Sequence, residues 1–147
     1  MIQIVPNLFI GNDTDAKEFA DVVDIVINCT KDIPFFNKKH TPIQIRVPVN
    51  DDGCEGSMTL MKSQFKYITT FIKTHINTKS ILVHCKNGQQ RSATIIAAYL
   101  MSLDSEKSFD QLIEFIKQHK RDAFFYQINF RQPLQEYFNE LKHIHPV

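Results

Sequence analysis

The stretch Ile81-Leu82-Val83-His84-Cys85-Lys86-Asn87-Gly88-Gln89-Gln90-Arg91-Ser92-Ala93-Thr94-Ile95-Ile96-Ala97-Ala98-Tyr99-Leu100-Met101 decides the fold. A β-type apolar run, a polar loop holding one glycine and an apolar helical run predict strand, tight loop and helix. Such a loop turns successive backbone N–H groups into a concavity, and the helix adds its unpaired N-terminal donors and positive dipole end. That concavity fits a phosphate dianion. Cys85 at its mouth has its thiolate stabilised by the same donors, which makes it a nucleophile at neutral pH. Arg91 closes the ring, because its planar fork can hold two phosphoryl oxygens at once and follow them as the phosphorus flattens. A Cys and an Arg six apart would arise in about one shuffled chain in twelve, so the spacing is weak and its context carries the reading.

Outward from this stretch, residues 2–5, 8–10, 22–28, 43–49 and 80–84 read as strands. Met58, Met61, Phe65, Ile68 and Ile72 recur at helical steps, as do Phe109, Leu112, Ile113 and Ile116, and then Phe130, Leu134, Tyr137, Phe138 and Leu141. The expectation is an α/β fold with one central sheet of about five strands flanked by helices. No repeat or Ser/Gly-rich linker divides the chain, so residues 1–147 are expected to form one domain. Residues 50–57, with two of the four glycines, read as a polar loop between a strand and the first long helix.

The 147 residues, 43% hydrophobic and 22% charged, are enough for a core that needs no disulfide or metal. A net charge of +1 offers no broad cationic face, so neither a nucleic acid nor a membrane is expected as partner. The N-terminal residues lack a basic leader pattern, and no apolar run approaches spanning length. With three cysteines, an odd number, a reducing compartment is expected, cytoplasmic or nuclear, and the Asn12 and Asn28 sequons read as accidental. Cys29 reads as a core residue. Cys54 reads either as an exposed bystander or as a trap for oxidised Cys85. Lys38, Lys39 and His40 read as a solvated loop, and His143-Ile144-His145 has too few partners for a metal, so no cofactor is expected.

The segment from His84 to Ser92 matches the His-Cys-x5-Arg-Ser/Thr signature, and with it the chain resembles the compact dual-specificity branch of the protein tyrosine phosphatase superfamily, which includes poxvirus enzymes. The likeness extends to Ile4-Val5-Pro6-Asn7-Leu8-Phe9-Ile10-Gly11, Ile25-Val26-Ile27-Asn28-Cys29-Thr30, Val47-Pro48-Val49-Asn50-Asp51, Ala98-Tyr99-Leu100-Met101 and Phe130-Arg131-Gln132-Pro133-Leu134. It implies a phosphatase-like fold in which Cys85 attacks phosphorus to form a phosphocysteine and Arg91 binds the phosphoryl oxygens. Lys86, Asn87, Gly88, Gln89 and Gln90 would bind phosphate mainly through backbone. Asp51 would protonate the leaving oxygen, with Asp52 its competitor; Ser92 would hydrogen-bond the cysteine sulfur, and His84 would help orient the loop.

Two departures stand out: Gln90 occupies a position where many members carry serine, and the usual Asn-x-x-Phe before the closing helix reads Gln127-Ile128-Asn129-Phe130. Either Gln127 or Asn129 could buttress the loop. The resemblance implies a metal-independent phosphatase of phosphotyrosine and phosphoserine/threonine in phosphoproteins, with a phosphate or sulfate ion favoured in the loop. Oligomeric state is open, a homodimer included. The alternatives are a phosphatase of RNA 5′-triphosphates or phosphoinositides, a phosphoprotein-binding module without turnover, and a rhodanese-like sulfur carrier.

Overall fold

A computed structural model describes residues 1–36, 43–103 and 106–144. The sequence readings at Lys38, Lys39, His40 and His145 lie outside the described residues. In chain order the elements are β1 (Ile2–Val5), β2 (Leu8–Gly11), α1 (Asp13–Phe19), β3 (Ile25–Asn28), β4 (Ile43–Arg46), α2 (Glu55–His75), β5 (Ile81–His84), α3 (Arg91–Ser102), α4 (Phe109–His119) and α5 (Arg131–Ile144). The five strands form one sheet in the order β1-β2-β5-β3-β4. Only the edge pair β1–β2 is antiparallel; β2, β5, β3 and β4 run parallel. This is the α/β architecture that the sequence predicts.

Side-chain alternation along the strands sorts the two faces. Ile25, Ile27, Ile81 and Val83 point into the main core with Leu8, Ile10 and helices α2, α3, α4 and α5, whereas Val26 and Leu82 point to a smaller cluster with Ala16 of α1. β5 is therefore covered on both faces, and all four of its residues are buried. Helix α3 lies behind it with every residue from Ser92 to Met101 buried. Phe65, Phe124 and Phe130 are fully buried, each contributing about 2–3 kcal/mol by removal of apolar surface from water.

Helix α2 begins at Glu55, so residues 55–57 are helix rather than the predicted loop, and β2 runs on to Gly11; three predicted strands are shorter than expected, each for a local reason. Residues 22–24 are not strand: the Val22 and Val23 amides donate to the Phe19 carbonyl at 2.9 and 3.3 Å, closing α1 with a turn that leaves Val22 67% exposed. The β4 strand stops at Arg46 rather than Val49. Pro48 has no N–H for a ladder, and the Val49 amide instead reaches back to the Val47 carbonyl at 2.9 Å. β5 begins at Ile81 because Ser80 serves Asp24, whose carboxylate accepts from the Ser80 amide at 2.9 Å.

Helix α1 was not legible in the apolar pattern. Its signal is a capping box: Asn12 Oδ1 accepts from the Asp15 amide at 2.8 Å, and Asp15 Oδ2 accepts from the Asn12 amide at 3.0 Å. Among the described residues no helix is long and apolar enough to cross a membrane.

Candidate active site

The carboxyl ends of the parallel strands β2, β5, β3 and β4 lie along one end of the sheet, where parallel α/β sheets place their ligands. From β5 the chain enters the loop 85–90 and then α3. Three of the loop's carbonyls are turned away from the cleft into the protein: Lys86 O accepts from the Asp13 amide at 3.1 Å, Gln89 O from Phe124 at 2.8 Å and Gln90 O from Thr94 at 2.8 Å. In a trans peptide the N–H points opposite to the C=O, so the amides of Asn87, Gln90 and Arg91 face the other way, toward the cleft. The nest predicted from sequence is thus held open by carbonyl anchors on α1, α3 and the 122–126 turn.

Gly88 makes this loop possible. Its φ is +69°, and a Cβ there would stand 2.9 Å from the Gly11 carbonyl oxygen. The loop lies directly on the end of β2, so a side chain at Gly88 would both strain the backbone and push the two apart.

Cys85 sits at the cleft floor, 3% exposed, with its Sγ 3.2 Å from the Ser92 hydroxyl oxygen. Asp51, Asn87, Gln89, Gln90, Arg91, Phe125 and Asn129 join Cys85 around a cleft of about 150 Å³. Arg91 is pinned from the side: its Nη1 donates to the Val49 carbonyl at 2.9 Å, tying the guanidinium to the segment that carries Asp51. The wall residue Phe125 had no sequence signal beyond the aromatic run Phe124-Phe125-Tyr126. Phe125 and Tyr126 are 53% and 90% exposed.

The two neighbouring carboxylates separate. Asp51 lines the cleft, its Oδ1 and Oδ2 accepting from Asn129 Nδ2 at 3.1 and 3.2 Å. Asp52 turns to the start of α2, where the Cys54 amide and the Ser57 hydroxyl hold its carboxyl below the usual range. Of the two candidate buttresses, Asn129 contributes its side chain to this site and Gln127 contributes its carbonyl, which accepts from Gln90 Nε2 at 2.8 Å.

His84 is 1% exposed, and burial pushes its imidazole down to about 4. Its Nδ1 lies 3.4 Å from the Cys85 carbonyl, an acceptor only, so that nitrogen carries the proton. The neutral ring braces the first peptide of the loop. Cys29 is buried as expected; burial, and then the Cys85 beside it, push its thiol well up. Cys54 is exposed at the N-cap of α2, and Asp52 pushes its thiol up; it does not line the cleft of Cys85. Lys86 is exposed at the loop's outer rim. Among the described residues no group of three or more His, Cys, Asp or Glu is placed to hold a metal. A larger groove of about 490 Å³ lies between α2 and α5, but its lining holds no cysteine.

The model for the dual specificity phosphatase catalytic domain matches residues 8–140, which spans every element from β2 into α5. The chain belongs to the dual specificity phosphatase family. The chain is 32% identical over 147 residues to human dual specificity protein phosphatase 16, covering 95% of this chain and 21% of that protein. It is also 32% identical over 137 residues to a viral protein named for tyrosine phosphatase activity, 123R of Invertebrate iridescent virus 6, covering 92% and 89% of the two. A crystal structure of a mouse protein described as a dual specificity phosphatase, complexed with zinc tungstate, superposes with a TM-score of 0.77 at 28% identity, covering 98% and 89%. The chain spans about a fifth of the length of the first human relatives it matches.

Proposed function

We propose that residues 1–147 act as one catalytic domain that hydrolyses phosphotyrosine and phosphoserine/threonine in proteins through a phosphocysteine. One observation carries the reading: the Cys85 sulfur lies at the floor of a cleft whose rim brings together Arg91, Asp51 and the inward-facing loop amides. In the first step the Cys85 thiolate attacks phosphorus; an S–P bond forms, the P–O ester bond breaks, and Asp51 gives its proton to the departing oxygen. Arg91 and the loop amides stabilise charge on the three equatorial oxygens, the role a metal ion plays elsewhere, so the chemistry calls for none. In the second step water attacks phosphorus as Asp51 takes its proton. The S–P bond breaks, inorganic phosphate leaves, and Ser92 donates a hydrogen bond to the returning thiolate across the 3.2 Å contact.

The shallow cleft supports both substrate classes. At about 150 Å³ it holds a phosphoryl group and leaves the rest of the side chain against the exposed Phe125 ring. Tungstate, which accompanies the mouse relative, is a tetrahedral oxyanion like phosphate and supports occupancy of the loop by phosphate or sulfate. A thiolate nucleophile works only while reduced, which favours a cytoplasmic or nuclear setting. The test is hydrolysis of p-nitrophenyl phosphate in EDTA from pH 5 to 8. Turnover lost in Cys85→Ser, and, with phenyl phosphate as a second substrate whose basic leaving group needs the acid, sharply lower in Asp51→Asn and retained in Asp52→Asn, supports the assignment. A parent that binds phosphopeptide without turnover would replace it with a binding module, and a preference for RNA 5′-triphosphates would replace the substrate class.

A further inference from the structure

We propose that the Gln90 side chain is a positioning residue that couples the phosphate-binding loop to the general acid through Asn129, an inference that rests on the phosphatase reading above. Gln90 is only 7% exposed, and its amide is fully engaged: Nε2 donates to the Phe125 carbonyl at 3.2 Å and the Gln127 carbonyl at 2.8 Å, while Oε1 accepts from the Asn129 amide at 3.0 Å. Both amide donors and one acceptor site are thus spent on residues 125–129. The same residue is clamped at its backbone, where its carbonyl accepts from the Thr94 amide at 2.8 Å and the Thr94 hydroxyl at 2.7 Å. One end of the link is therefore rigid with α3 and with Arg91, the next residue.

The other end reaches the chemistry. Asn129, whose amide Gln90 holds, donates through Nδ2 to both oxygens of Asp51. Loop, Gln90, Asn129 and Asp51 form one continuous hydrogen-bonded path from the phosphate site to the proton that the leaving group needs. A serine at position 90, with a single atom beyond Cβ, is too short to make these bonds. Without the amide, the Phe125 and Gln127 carbonyls and the Asn129 amide lose their partner, and Asn129 no longer holds Asp51 over the cleft. Cys85 and Ser92 keep their mutual contact. The defect therefore falls on leaving-group protonation rather than on the loop as a whole, and it grows as the leaving group becomes more basic.

Gln90→Met keeps length and removes the amide; Gln90→Ser removes both. The assay is kcat/KM on p-nitrophenyl phosphate, whose leaving group needs little acid help, and on phenyl phosphate, whose leaving group needs much. Thermal melts confirm folding. Either variant should lose about tenfold on phenyl phosphate and no more than about twofold on p-nitrophenyl phosphate, a partial loss of general-acid catalysis. In an Asp51→Asn background Gln90→Met should add almost nothing, because both act on the same proton. Asn129→Ala, at a half-buried position, tests the link from its other end and should reproduce the substrate pattern even if a Gln90 variant fails to fold. Equal losses on both substrates, additive losses with Asp51→Asn, or no loss would overturn the proposal. Those outcomes leave the phosphatase reading standing so long as the parent turns over and Cys85→Ser does not.

Discussion

His84 makes the stability of this domain fall on mild acidification by an amount that can be worked out. The imidazole closes β5 with 1% exposure, and burial holds its pKa at about 4 against 6.5 for the free side chain; the Cys85 carbonyl and Asp13 oppose this more weakly. Between these two values the unfolded chain binds the proton and the folded chain does not. Stability therefore rises with pH across that window, and it is lost as pH falls from 6.5 toward 4. Linkage puts the loss at about 2 kcal/mol between pH 7 and pH 5. His84→Gln, a neutral side chain of similar volume, removes this titration while leaving every carboxylate in place. The assay is urea unfolding of both proteins at pH 7, 6 and 5, followed by far-ultraviolet circular dichroism. The variant should begin about 1 kcal/mol less stable, from a poorer buried hydrogen bond, and the gap should close or reverse by pH 5. Parallel stability curves would refute the reasoning, because they would mean that His84 charges freely in the folded state.

Gly88→Ala should cost more than about 1 kcal/mol in urea unfolding and should depress p-nitrophenyl phosphate turnover, because the new Cβ meets the Gly11 carbonyl oxygen at 2.9 Å on a backbone with φ of +69°. A variant with parental stability and rate would show that the loop does not rest on β2. Asn12→Ala removes the acceptor for the Asp15 amide and should lower stability by about 1 kcal/mol, read as a shift in urea midpoint with unchanged slope. An unchanged midpoint would mean that the Ala16 contact, the Asp13–Lys86 bond and the Met1–Asp15 pair hold α1 without its cap.

Much of this molecule is written locally. The strand 81–84, the loop glycine and the apolar helix after it dictate one another through short-range rules, so Cys85 and Arg91 could be placed around a phosphate-shaped concavity from the residues between them, while the place of Ser92 came from the family resemblance. The four later helices announce themselves by periodic apolar residues, since each buries one stripe or, for α3, nearly its whole surface. Helix α1 buries only Ala16 and so carries almost no apolar period; its capping box was its one local signal.

What the sequence alone determined is therefore what neighbours in the chain can bring together: a nest, a thiol and a guanidinium within one loop and one helix turn. The tertiary structure decided what distant segments bring to it. Asp51 and Asp52 are adjacent in sequence, and only the approach of Asn129, 78 residues from Asp51, turns one carboxylate to the cleft while the start of α2 claims the other. Gln90 likewise reads as one more loop residue until residues 125–129 arrive to occupy its amide. A side chain's hydrogen-bonding capacity is visible in its identity. Its partner is chosen by packing, which joins residues with no spacing rule between them.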